Sequence, residues 1–121
     1  MKDNVSFIKS KKFAVRIINL YKHLKSNKRE YEMSRQLLRS GTSIGANLAE
    51  ANYGISDKDF LSKLFISLKE CSETKYWLEI LHEAEYLSDS EFDSINKDCI
   101  ELLKILTASA KTLSEKLRGQ H

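Results

Sequence analysis

The sequence predicts an all-α fold, a single antiparallel up-down-up-down four-helix bundle over residues 1–121. Three observations carry that prediction. Apolar residues recur every three to four positions through four long segments, the spacing of one helix face. The chain has no proline and only four glycines, where about six prolines are usual for this length, so little interrupts long helices. No stretch alternates apolar and polar residues as a half-buried strand does. At 121 residues the chain is one domain, long enough to bury a continuous core.

The first helix is expected over residues 4–27. Phe13, Ile17, Leu20 and Leu24 keep one stripe, which Val5, Ile8 and Tyr21 are expected to widen. The polar run Lys25-Ser26-Asn27-Lys28 closes it. The second helix is expected over residues 30–53, with Leu37, Gly41, Ile44, Leu48 and Ala51 on one face. Gly54 then suits a left-handed stop.

The third helix is expected over residues 57–86. Asp57 and Asp59 favour the positive end of its dipole. Leu61, Leu64, Leu68, Cys71, Leu78 and Leu81 form one stripe, and Trp77, Ile80, Ala84 and Leu87 a second, shifted one. A helix with two apolar stripes needs two neighbours, or a neighbour and a partner chain. The fourth helix is expected over residues 89–118, behind the capping box Ser88-Asp89-Ser90-Glu91. Phe92, Ile95, Cys99, Leu102, Leu106, Ala110, Leu113 and Leu117 give the most regular repeat of the chain, and Gly119 ends it. Short loops between such helices force antiparallel neighbours.

Residues 39–51, RSGTSIGANLAEA, pose a problem. Each interior glycine costs a helix about 1 kcal/mol relative to alanine. Gly41 and Gly45 therefore mark a place where something comes close to the backbone, most simply another helix. On the opposite side Arg35, Arg39, Ser43, Ala46 and Glu50 cluster, with Asn47 beside them. One reading is a polar packing seam of Arg39, Gly41, Ser43, Gly45, Asn47 and Glu50, inside the bundle or between protomers. Glu70 or Glu73 would then supply a carboxylate for Arg39. The other reading is an ordinary solvated face.

The net charge of +3 hides a polarity: residues 1–40 carry +8 and residues 41–121 carry −5. Lys9, Lys11, Lys12, Arg16, Lys22, Lys25, Lys28 and Arg29 crowd the first helix and the loop after it. A face built from Lys9, Lys12, Arg16, Lys22, Lys25 and Arg29 could contact RNA or DNA phosphates. No nucleic-acid-binding motif accompanies it, and solvated lysines are the alternative.

Catalytic signals are sparse. Glu79-Ile80-Leu81-His82 has the Glu-x-x-His spacing of di-iron bundles. A second such motif is missing, and the other histidines are His23 and the final residue, His121. There is no Gly-x-Ser-x-Gly elbow and no phosphate loop. Cys71 and Cys99 fall at core spacings, as reduced thiols do. No enzyme activity, cofactor, metal or small-molecule substrate is expected. No apolar run reaches signal-peptide length or the roughly 18 residues of a membrane span, so a cytoplasmic protein without membrane contact is expected.

RQLLRSGTSIGANLAEA (residues 35–51) and DFLSKLFISLKECSETKYWLEILHEAEYL (residues 59–87) resemble the bacterial four-helix bundle proteins first noted as reading frames within 23S ribosomal RNA intervening sequences. SIGAN at 43–47, Glu50 and the SLKE…ET…WL string at 67–78 carry most of the likeness. The resemblance implies a bundle protomer that assembles into a ring, typically a pentamer, with no established enzymatic activity. A relative in the same broad family is the accessory protein of diversity-generating retroelements, which is basic and partners a reverse transcriptase and nucleic acid. Many members have proline where Gly45 stands, and glycine with a nearby arginine after the Glu50 position. This chain reads Ala51-Asn52-Tyr53-Gly54 there. The expected function is a non-catalytic oligomeric scaffold or adaptor; the alternative is a nucleic-acid-binding accessory protein.

Overall fold

In a computed structural model, which describes residues 4–119, the apolar stripes fold into α1 (Asn4–Ser26), α2 (Glu32–Ala51), α3 (Asp57–Glu83) and α4 (Asp89–Arg118). No strand occurs among the described residues. Each helix packs on its sequence neighbours, and α4 closes back on α1 more loosely. The order is that of an up-down-up-down four-helix bundle, with α1 diagonal to α3 and α2 diagonal to α4. The core is built from Phe13, Ile17 and Leu24, Leu37, Ile44 and Leu48, Leu64, Leu78 and Leu81, and Leu102, Leu106 and Leu113. Among the described residues, no helix is long and apolar enough to cross a membrane.

Gly41 and Gly45 seat α2 against α1. A Cβ on Gly41 would lie 2.8 Å from both γ carbons of Ile17, and one on Gly45 would lie 3.0 Å from Ser10 Oγ. Their close approach is thus satisfied within the protomer. It also explains why Ser10 is fully buried, since little space remains there for a longer side chain; Ser6, one turn earlier, is fully buried as well. Val5 and Ile8, expected to widen the α1 stripe, are exposed instead.

The other face of α2 meets α3 through small polar residues. Ser40, Ser67 and Thr74 are wholly buried. Ser67 Oγ donates to the Ile44 carbonyl across the interface at 2.8 Å, and Thr74 Oγ1 lies 2.9 Å from Ser40 Oγ. Between α3 and α4, Cys71 and Cys99 are free, buried thiols. Each sulfur faces the other's carbonyl oxygen, at 3.6 and 3.7 Å. The Cys71 sulfur and burial push the Cys99 thiol up, so it stays protonated and unreactive.

The helix ends depart from the sequence reading. No described glycine has positive φ; the left-handed residues are Arg29 (φ 54) and Glu85 (φ 67). Gly54 is therefore not a left-handed stop, and α2 ends at Ala51. At the other end α2 begins two residues later than expected because Glu30 stands outside the helix and caps it. Its Oε1 accepts from Ser34 N–H at 2.7 Å, and its Oε2 from Glu32 and Met33 N–H at 3.1 and 3.2 Å. The left-handed Glu85 turns the chain out of α3 at Glu83 rather than Tyr86, and Tyr86 N–H donates back to the Leu81 carbonyl at 2.8 Å. The capping box of α4 forms in full.

Candidate functional site

The outer groove between α2 and α3 holds the largest charged network. Arg39 from α2 reaches two carboxylates one turn apart on α3: its Nη1 donates to Glu70 Oε1 at 3.3 Å and its Nη2 pairs with Glu73. Glu73 Oε2 also accepts from Trp77 Nε1 at 3.0 Å. The hydrogen bond from Arg39, then that from Trp77, hold the Glu73 carboxyl below its ordinary range. Further along the groove Lys63 pairs with Glu50 at 2.7 Å. Ser43 Oγ and Asn47 Nδ2 turn back to carbonyls of their own helix, at 2.6 and 2.9 Å.

The six seam residues therefore divide. Gly41 and Gly45 face α1, whereas Arg39 and Glu50 make ion pairs to α3. They do not converge on one pocket.

The cations of α1 also divide. Lys9 pairs with Glu101 at 3.3 Å. Arg16 pairs with Asp98 at 2.7 Å and donates to the Ser94 carbonyl and hydroxyl. Both are drawn to the α1–α4 edge by these pairs. Lys25 lies over the Tyr21 ring, and Arg29 sits in the turn rather than on the helix. Lys12 and Lys22 remain exposed on α1. An open cleft of about 390 Å³ lies along the same edge, floored by Leu20 and Ile95 and rimmed by Arg16, His23 and Glu91.

Glu79 and His82 separate as well. Glu79 accepts from Lys75 at 2.8 Å; His82 stacks on Phe92 and bonds Asp89 at 2.7 Å. Among the described residues no three His, Cys, Asp or Glu side chains gather in a metal-binding arrangement. His121 lies outside the described residues.

The features that sequence reasoning missed are outward-facing apolar side chains. Tyr53 and Ile55, in the α2–α3 turn, are 89% and 95% exposed. Val5, Ile8 and Val15 on α1 and Phe65, Ile66 and Tyr76 on α3 are also exposed. A phase argument could have found those on α1: Ile8 and Val15 are seven apart, on the far side from Ile17.

The model of the 23S rRNA-intervening sequence protein family matches residues 2–108. The chain belongs to that family. It is also similar to a crystal structure from Bacteroides thetaiotaomicron VPI-5482, of a protein with unknown function from the S23 ribosomal protein family. The two share 53% identity with a TM-score of 0.88, over 92% of this chain and 99% of that one. No curated protein matches the chain significantly. Family membership thus brings a fold without an assigned activity.

Three acids tie this member's fold to pH. Glu73 is lowered as described. Glu91 is lowered by its bonds to Ser88, the backbone N–H first, and Asp57 by its hydrogen bond from Lys116. A carboxyl with a lowered native pKa binds its proton more readily when unfolded. Its contribution is therefore complete above the ordinary carboxylate range, about pH 4 to 4.5, and lost as pH falls through the lower native value. Urea midpoints should hold steady from neutral pH to about 5 and fall below about 4. A midpoint that rises on acidification would contradict these bonds.

Proposed function

We propose that this family member is a non-catalytic, self-associating bundle that acts as an oligomeric scaffold or adaptor. The observation that carries the reading is the pair of outward faces on α1 and α3, which leave six large apolar side chains in solvent. Lone exposed apolar residues are ordinary, but grouped ones mark interaction surfaces. Lys9 and Arg16 on α1 and Glu70, Glu73 and Glu79 on α3 pair within the fold, and these charges are not gathered around a reacting centre. The family resemblance adds a ring, typically a pentamer, as the form of assembly. Light scattering at micromolar concentration should return a multiple of the 14.0 kDa protomer mass, with five copies for the ring. A strict monomer would overturn the reading.

The alternative, RNA or DNA held on α1, has less support. Lys9 and Arg16 are neutralised by α4. Ile8 and Val15 put aliphatic surface among the remaining lysines, where a phosphate-binding stripe would carry donors.

A further inference from the structure

We propose that Cys71 and Cys99 form a redox-modification site, which hydrogen peroxide converts to a disulfide that ties α3 to α4. The site is independent of any contact between copies.

These are the only two cysteines of the chain, and the fold brings them together. Cys71 lies near the middle of α3 and Cys99 about three turns into α4. The antiparallel hairpin sets them opposite each other. Both are wholly buried and free. The approach is reciprocal: Cys71 Sγ lies 3.6 Å from the Cys99 carbonyl oxygen, and Cys99 Sγ lies 3.7 Å from that of Cys71. A carbonyl oxygen is about 2.4 Å from its own Cα, so each sulfur lies within about 6 Å of the other cysteine's Cα. A bridge needs this arrangement, close backbones with side chains that converge. The Cys71 thiol is also the strongest influence on the Cys99 thiol, ahead of burial, as sulfurs in direct contact require.

No other role accounts for the pair. Among the described residues no three His, Cys, Asp or Glu side chains gather to hold a metal. Ser67 and Thr74, one turn to either side on the same face of α3, hydrogen-bond to α2. The two thiols, weak donors and acceptors, face each other instead.

In the closed bundle both sulfurs are shielded, so reaction begins when the α3–α4 hairpin opens locally. One thiolate sulfur attacks peroxide. An S–O bond forms, the O–O bond breaks, and the departing hydroxide recovers the proton that the thiol released, as water. The sulfenic acid is small and re-enters the core. The second sulfur attacks it: the S–S bond forms, the S–O bond breaks, and hydroxide leaves with the second thiol proton as water. The two sulfurs lose two electrons and peroxide gains them. The bond closes a loop between positions 28 apart in sequence. It thereby restricts the unfolded chain and makes the oxidised bundle the more stable form.

Peroxide treatment of the native protein tests the site. After exposure at neutral pH the protein is unfolded in urea, alkylated with iodoacetamide and weighed by intact mass spectrometry. The expected product is a single chain, two hydrogens lighter than the parent, that takes up no alkyl group and takes up two after dithiothreitol. Its urea midpoint should lie above that of the reduced protein and return on reduction. Cys71→Ser and Cys99→Ser should each give no such product. Three results would each overturn the proposal: both thiols still alkylated after exposure, oxygen added without loss of the two hydrogens, or a cross-link between chains. A disulfide form with a urea midpoint below that of the reduced protein would overturn it too, since the bond would then strain the helices it joins.

Discussion

Gly41→Leu should lower stability by about 3 to 5 kcal/mol or abolish folding, the largest effect expected of any single change in α2. Overpacking a filled core costs about 1 to 3 kcal/mol and occasionally more. Here even a single added carbon would meet both γ carbons of Ile17 at 2.8 Å, and Ile17 is wholly buried. Its β-branched side chain is stiff and has few other rotamers. Alanine provides a sharper test. Gly41→Ala should gain about 1 kcal/mol of helix propensity, yet the clash should leave the variant less stable than the parent. Gly45→Ala faces only the Ser10 hydroxyl, at 3.0 Å. That oxygen is buried and held by its hydrogen bond to the Phe7 carbonyl at 2.7 Å, so the contact should offset most of the gain in helix propensity and leave the variant near neutral. Urea unfolding of both alanine variants decides the matter: a stabilised Gly41→Ala would show that α1 and α2 are not packed as closely as described.

Glu30→Ala should cost about 2 to 3 kcal/mol, although the residue lies in a turn and outside any apolar stripe. It is only 6% exposed, and its carboxylate serves three N–H groups of the first turn of α2. Those donors have no intrahelical partner. A negative group at a helix N-terminus also meets the positive end of the dipole. Removal leaves the buried Ser34 N–H without this acceptor, at about 1 to 3 kcal/mol before local fraying relieves it, and exposes the part-buried N–H groups of Glu32 and Met33 to water. Glu30→Gln keeps one acceptor oxygen and should fall between the parent and the alanine variant. Thermal or urea unfolding in which Glu30→Ala matches the parent to within about 0.5 kcal/mol would show the cap to be dispensable.

The four helices were legible because their core residues are large, apolar and repeated at helical spacing. Phe13, Ile17 and Leu24, or Ile95, Leu102 and Leu106, leave little choice of face. Legibility failed where a core position is filled by a small polar residue. Ser67 and Thr74 stand in phase with Leu64, Cys71 and Leu78 on the buried face of α3, but a search for leucines passes over them and selects Leu61 and Leu68. On α1, the burial of Ser6 and Ser10 turned the stripe enough to put Val5 and Ile8 outside. The turns failed for another reason. Arg29 and Glu85 adopt left-handed conformations without the glycine or asparagine that usually signals one. Spacing left Arg39 either a solvated cation or the partner of Glu70 or Glu73, and it reaches both carboxylates. The basic face of α1 was only partly readable, since the acids that neutralise Lys9 and Arg16 lie more than seventy residues away in sequence.

The looseness of the α1–α4 edge has a consequence for how the chain reaches this state. Strong packing joins only helices that follow one another along the chain, so each hairpin can form after closing a short loop. The one contact that must span nearly the whole polypeptide is also the loosest and is bridged by ion pairs. Little entropy is therefore spent before packing is gained. Such low contact order places the protomer among the fast folders, with microsecond-to-millisecond kinetics.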